Sequence, residues 1–357
     1  MSQFKTPAFE QLTQSIEADW NKQSQNLEVF PEIATRALKD FDYDLSKEQL
    51  DQWLAEWFLK TSKLPEQVNV HNTFGQPPIT LFNNGRFVLD IYIWLNFDTS
   101  IHSHGFRGAF KVLHGSSLHE TFSVDSKKEF FKDAMTVDLK RTARESLQEG
   151  ETRSIEPEKK LTHRVIHLEN PTVTLCARTV NEVEISQWHY FINGLAIQKK
   201  LLSSDLVKKI YFTQYLLGQN KAEAEAFLKK LLDSLDTSVQ MNLYEDLWRG
   251  SLELTEDSLQ FIVDAVIERH GDTEWFKLYE EANPELLGLV DASHFDDPFF
   301  RLLGHFINSG DKLSEVLPHL EKAFGQKLTV KEVASALKEF QIETAAQTQR
   351  TQNFLKV

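Results

Sequence analysis

Residues 99–115 read Thr99-Ser-Ile-His102-Ser-His104-Gly-Phe-Arg-Gly108-Ala-Phe-Lys-Val-Leu-His114-Gly115. In an extended strand, residues i and i+2 point to one side, so His102 and His104 converge on one face. Neutral imidazoles are good ligands for iron, zinc, copper or nickel. Two ligands do not make a site. A chain with twelve histidines in 357 residues holds about 0.4 such pairs by chance. Two barrel-lining or surface histidines are therefore the competing reading. A second histidine-bearing stretch changes the balance: Leu161-Thr-His163-Arg-Val-Ile-His167. His163 and His167 share a strand face with Val165, and an antiparallel neighbour would bring one of them to the first pair. Eight of the twelve histidines fall between His71 and His189.

The surroundings of both stretches read as strand. Gly75-Gln-Pro-Pro78 punctuates the chain, and Asn83-Asn84-Gly85 is a hairpin turn signal, because Asn and Gly tolerate positive φ. Residues 86–97 are rich in β-branched and aromatic side chains, with Phe87, Leu89, Ile91, Ile93, Leu95 and Phe97 on one face. Short strands are expected at 100–104, 106–113, 118–124, 134–139, 163–167 and 172–178. Many short strands at this spacing point to a sandwich or barrel.

Both flanks read as helix. Ser46-Lys-Glu-Gln49 is a capping box, followed by an apolar face of Leu50, Trp53, Leu54, Trp57 and Phe58. After residue 203, helices are expected at 205–217, 221–235, 256–270, 298–308, 312–324 and 330–340, with Gly218 and Gly271 as stops and a capping box at Thr329-Val-Lys-Glu332. The polar tail is expected to fray. The resulting class is α+β: N-terminal helices over 1–75, a β-barrel over 76–200, an all-α C-terminal domain over 201–343 and a tail over 344–357.

Composition sets limits on function. Aliphatic and aromatic residues make up 41% and charged residues 26%, as in a folded globular protein. The net charge is −14, which argues against a general nucleic-acid or anionic-membrane binder. The single cysteine, Cys176, forms no internal disulfide, so a reducing compartment is the default. The N-terminal residues lack an apolar core, and the longest apolar stretch is broken by Asp90 and Asn96. A cytoplasmic protein with neither secretory signal nor membrane span is the expectation. No phosphate-binding glycine loop, Gly-x-Ser-x-Gly or Cys-x-x-Cys occurs.

Taken in order, His102-x-His104, Gly115 and His163-x-x-x-His167 resemble the two motifs of the cupin superfamily, a jelly-roll β-barrel. The usual glutamate ligand after the pair is replaced by Gly108 or Ala109. Three histidines without a carboxylate resemble the cysteine dioxygenase and related thiol dioxygenase group. Residues 79–178 carry the likeness, through Asn84-Gly-Arg-Phe-Val-Leu-Asp-Ile-Tyr-Ile-Trp94, Gly115-Ser-Ser-Leu-His-Glu-Thr-Phe122 and Pro171-Thr-Val-Thr-Leu175. The resemblance implies Fe(II) held by His102, His104 and His163, O2 as co-substrate, and oxidation of a small anionic thiol or amino-acid-like molecule. Zinc, nickel or copper are the other metals considered. Three neutral ligands leave the 2+ charge uncompensated, so an anionic substrate supplies it.

Two departures bear on the substrate. Animal members carry a cysteine, crosslinked to a tyrosine, at the place of Gly108 or Ala109. The family arginine that precedes the Asn-Gly turn is missing from Gln76-Pro-Pro-Ile-Thr-Leu-Phe82. Arg178 is a substitute anion partner, or else a surface arginine at a strand end. Tyr190 is a candidate phenol near the metal, against packing at a domain junction. His167 is a candidate base or alternative ligand, against a barrel-lining histidine bonded to a neighbour. His114 and His119 flank a turn, Cys176 reads as a buried inert thiol, and His270, His294, His305 and His319 read as surface or capping residues. The alternative function is a non-catalytic metal-binding cupin that binds a ligand or a protein partner through its helical domain.

Overall fold

The structure is a computed structural model. It describes residues 8–68, 75, 77–95, 99–180, 182, 186–198, 200, 202–248, 250–282, 289–290, 295, 297–340 and 345–356. Asn96 and Phe97, at the end of the apolar strand, lie outside the described residues, as do His71 and His294. Three helices come first: α1 (Phe9–Lys22), α2 (Phe30–Asp40) and α3 (Lys47–Lys60). The strands follow: β1 (Pro78–Asn83), β2 (Phe87–Trp94), β3 (Ile101–His102), β4 (Gly108–His114), β5 (Ser117–Phe131), β6 (Ala134–Leu147), β7 (Thr152–Ile155), β8 (Thr162–His167), β9 (Thr172–Thr179), β10 (Trp188–Tyr190) and β11 (Leu195–Gln198). The later helices are α4 (Ser204–Gln219), α5 (Lys221–Asp233), α6 (Thr237–Trp248), α7 (Glu256–His270), α8 (Glu274–Glu281), α9 (Pro298–Asn308), α10 (Leu313–Phe324), α11 (Val330–Ala336) and α12 (Ala345–Phe354). Among the described residues, no helix is long and apolar enough to cross a membrane.

The chain forms two compact units. The first comprises Met1–Ser123, Lys140–Gln187 and Gly288–Val357; the second comprises Val124–Leu139 and Trp188–Leu287. In the first unit, one antiparallel sheet has the order β1-β2-β9-β4-β7. A second has the order β3-β8-β5-β6. The architecture is jelly-roll-like, antiparallel sheets flanked by helices at both ends of the sequence.

The β1–β2 hairpin forms where its turn chemistry places it. The Asn84 side chain accepts from the backbone N–H groups of Arg86 and Phe87, and Gly85 takes φ +78°, a region L side chains rarely adopt. Both faces of β2 are then buried. Phe87, Leu89 and Ile91 join Ala109, Leu175 and Ala177 in a core with Ile16, Trp20, Phe30 and Leu38 of α1 and α2. Asp90, Tyr92 and Trp94 point the other way, into the jelly roll. The apolar face seen in the sequence is thus the outer one, covered by helices. The aromatic residues between it line the interior. The Ser46–Gln49 capping box opens α3. Only Leu50 and Leu54 of its apolar face are buried, and Phe58 is 43% exposed.

The outer face of the second sheet is covered in the same way. Leu118, Ile166 and Leu168 pack with Leu302, Phe306, Leu313, Val316 and Phe354 of the C-terminal helices. Within that face Glu120 is fully buried and meets Arg144, Arg164, Arg141 and His305, while Asp311 pairs with Arg141 and Arg144. Burial alone would raise the Glu120 carboxyl. His305, Arg164 and Arg144 overcome it and hold the group well below the usual carboxylate range.

Several expectations are corrected. Residues 345–354 form α12, anchored by the buried Phe354, where fraying was expected. His270 and His305 are buried, not surface residues: His270 Nε2 lies 2.9 Å from Gln240 Oε1, and His305 Nε2 lies 3.4 Å from Glu120. Gly218 lies inside α4 and does not end it. Strands β5 and β6 run longer than their apolar stretches, because their distal halves carry exposed polar residues. In the second unit β11 pairs with β10 and β6, and Ala134, Leu195 and Ile197 share a core with Leu206, Ile210, Tyr244 and Phe276.

Candidate metal centre

Strand β8 lies between β3 and β5. His102 stands directly opposite His163 in the β3–β8 register. On the other side, Thr121 is opposite His163 and Ser117 opposite His167. The chain continues from β3 to His104, which bridges to Pro157. Three imidazoles meet as a result. Their ring centroids are 4.8 Å (His102–His104), 4.7 Å (His102–His163) and 4.9 Å (His104–His163) apart. One nitrogen from each lies within 4.8 Å of the others, and all three residues are buried. Of the two candidates in the second stretch, His163 joins the pair.

Neighbours fix which nitrogens face inward. Glu145 is gripped by Arg153 through Nε and Nη2, at 2.8 and 2.7 Å. That contact holds its carboxyl down to about 2, so it is an anion that only accepts hydrogen bonds. His119 Nδ1, 3.0 Å away, must donate to it. Burial lowers the His119 pKa, so the ring is neutral and its Nε2 carries a lone pair. His163 Nδ1, 2.8 Å from that atom, donates in turn. His163 Nε2 is left bare. In the same way His102 Nδ1 donates to the Ser100 carbonyl at 2.7 Å, so its Nε2 carries the ring's lone pair. Burial pushes His102 down to about 4 and His163 well below its ordinary value, so neither is a cation near neutral pH.

This donor set fits a metal ion. His104 Nε2 lies 2.8 Å from the bare His163 Nε2. Two lone pairs at that distance repel unless a proton or a cation sits between them. Ligands about 2.1 Å from one ion at right angles are about 3 Å apart. Outer partners that fix the tautomer are what histidine ligands ordinarily have. His119 and Glu145 supply them here, yet the sequence reading gave His119 no role. The signal was its place on the Ser117–Thr121 face, which needs the β5–β8 register to be seen.

A cavity of about 110 Å³ opens beside the cluster. The first sheet contributes Tyr92, Trp94, Phe110 and Cys176, and the second contributes Val165 and His167. His167 stacks on Trp94 at 4.5 Å and 20°, and its Nδ1 lies 3.1 Å from Ser117 Oγ. Its Nε2 is buried without a hydrogen-bond partner among the described residues. Burial pushes its pKa down to about 3. Cys176 is buried and its thiol is pushed up to about 12, so it stays protonated.

Arg178 is 2% exposed on the inner face of β9. Its Nε donates to Asp90 Oδ2 at 3.1 Å, and its guanidinium lies over the Phe106 ring at 4.9 Å. Asp90 is in turn held by Thr80 and Tyr92. Tyr190 is buried on β10 and belongs to the second unit. His114 Nε2 lies 2.7 Å from the Tyr43 hydroxyl, apart from the cluster.

No family model matches the chain, and no curated protein matches it. Solved structures do. Hydroquinone 1,2-dioxygenase from Sphingomonas sp. TTNP3, with 4-hydroxybenzoate bound, is 12% identical over 31% of this chain and 70% of its own, with a TM-score of 0.25. An RmlC-like cupin from Shewanella frigidimarina is 10% identical over 35% and 95%, with a TM-score of 0.21. Fold and site together define a jelly-roll-like β fold that carries a buried cluster of three histidines.

Proposed function

We propose that the protein is a mononuclear non-haem iron dioxygenase, similar to the cysteine dioxygenase group, that oxidises a small anionic molecule with O2. One observation supports this above the others: His102, His104 and His163 bring three imidazoles to one buried point beside a cavity. Bound Fe(II) would supply O2 activation there. The chain's own part is to orient the ligands. His119 and Glu145 hold the His163 ring with Nε2 facing inward, and the Ser100 carbonyl does the same for His102. Trp94, Phe106 and Phe110 line the space next to the cluster with carbon. Among the described residues no carboxylate joins the cluster, so an anionic ligand is favoured at the metal end.

The test is metal content and O2 uptake together. The purified protein should hold about one iron per chain and consume O2 with a member of a panel of thiols, phenols and amino acids. His102→Ala should lose stoichiometric iron with its fold intact by circular dichroism. Full iron occupancy in that variant contradicts the assignment. Iron binding without O2 uptake across the panel favours a non-catalytic metal cupin.

A further inference from the structure

The cavity beside the histidine cluster carries a second, unused polar atom. His167 Nε2 is buried, without a partner among the described residues, on a ring that lines the cavity. A buried polar group left unpaired is costly, so such an atom marks a place where a ligand or a water bonds. The ring is held in place on both sides. Trp94 stacks on one face and Ser117 Oγ meets Nδ1. If Ser117 donates to Nδ1, Nε2 bears the hydrogen; if it accepts, Nε2 is bare. An oxygen that both donates and accepts, a hydroxyl, satisfies either state.

The rest of the wall is mostly carbon, with Thr99, Thr174 and Gln187 as uncharged polar members. Tyr92 stacks on Trp94 at 5.4 Å, and Phe106, Phe110, Ile155 and Val165 complete the carbon surface. Among the described lining residues none is Lys, Arg, Asp or Glu. Arg178 is not among the lining residues: its Nε donates to Asp90 and the Phe106 ring covers its guanidinium, while its Nη2 is buried without a hydrogen-bond partner among the described residues. His167 itself is neutral, because burial depresses its pKa to about 3. An α-amino acid brings an ammonium and a carboxylate, and this wall offers neither a charged partner. The volume of about 110 Å³ is on the scale of cavities that take one benzene-sized ring (about 150 Å³ in a dry engineered case).

We propose that the cavity takes a molecule of about one ring's size, with an anionic oxygen of the phenol or enol class at the three-histidine end, an apolar body against Trp94, Phe106 and Phe110, and a hydroxyl at His167 Nε2. This rests on the metal reading above and narrows it. The negative charge sits where three neutral ligands leave a cation uncompensated. The aromatic wall takes the carbon, and aromatic pairs gain beyond simple area burial. The hydroxyl fills the unused hydrogen bond.

The test is anaerobic calorimetric titration of the full chain, Co(II)-loaded and metal-free, with phenol, 3-hydroxyphenol, 4-hydroxyphenol and L-cysteine. In the Co(II) form one of the two dihydroxy compounds should bind about five- to tenfold tighter than phenol, the gain of one neutral hydrogen bond. His167→Phe keeps a stacked ring and should abolish that gain while leaving phenol affinity within about twofold. His167→Gln should restore part of it. L-cysteine binding more tightly than all three phenols overturns the proposal, as does a dihydroxy preference that survives His167→Phe. The metal-free arm separates the two readings. There the apolar cavity still takes the phenols weakly with the same His167 dependence, so failure of Co(II) to bind at the histidines defeats the metal reading alone. Loss of the His167 dependence in both arms defeats this one.

Discussion

A Cβ built on Gly108 would lie 2.2 Å from the Ala177 carbonyl oxygen and 2.8 Å from Arg178 Cα. No side chain fits there, because β4 and β9 approach too closely. Ala109 packs into the outer, helix-covered core and does not face the cavity. Neither Gly108 nor Ala109 can therefore present a side chain to the site. Gly108→Ala should destabilise the fold by roughly 1–3 kcal/mol, read as a lower urea midpoint; an unchanged midpoint would contradict the close approach. His119 acts through His163. His119→Phe or Glu145→Gln should weaken metal binding about 10- to 100-fold, measured by competition with a chelator, with little change in circular dichroism. Equal metal affinity in both variants would remove the relay from the account. The His102–His104 pair was legible from spacing because strand periodicity makes i and i+2 converge, whereas spacing left His163 and His167 both open as the third partner. The supporting pair was not, since His119 and Glu145 meet across strands whose register no local pattern specifies.

Elements show the same division. Helices with clear caps, such as α3 and α7, and the β1–β2 hairpin were readable, because capping and turn chemistry act within a few residues. Strand β7, helices α6 and α8, and the distal halves of β5 and β6 were not. Their stability comes from partners distant in sequence, and half of the β5–β6 hairpin is polar. The contact between the second sheet and the C-terminal helices was also hidden, since its apolar packing surrounds a buried charge cluster whose members are distant in sequence. Asp311 is 2% exposed and ion-pairs with Arg144, which is 6% exposed and stacks over Phe306. Asp311→Ala leaves that guanidinium buried with one carboxylate fewer, and should cost about 3–5 kcal/mol. Urea denaturation reads this directly, and a loss under 1 kcal/mol would show the pair to be as weak as an exposed one.

At the scale of the whole molecule, the buried neutral histidines couple stability to pH. Burial lowers His167 to about 3 and His305 to about 4, against about 6.5 in an unfolded chain. The unfolded state therefore binds more protons between those values. Their contribution is fully present above about pH 6.5 and is lost as pH falls from there toward 4. Denaturation at pH 7.5, 6 and 5 should show stability falling at each step, and a flat profile would contradict burial of these rings. All of the chemistry depends on one arrangement, the meeting of His102, His104 and His163. It is tested most directly by anomalous diffraction at the iron edge from anaerobic, Fe(II)-loaded crystals. The account predicts a single peak about 2.1 Å from Nε2 of each of the three histidines. A peak at any other place, or none at full iron loading, would contradict it.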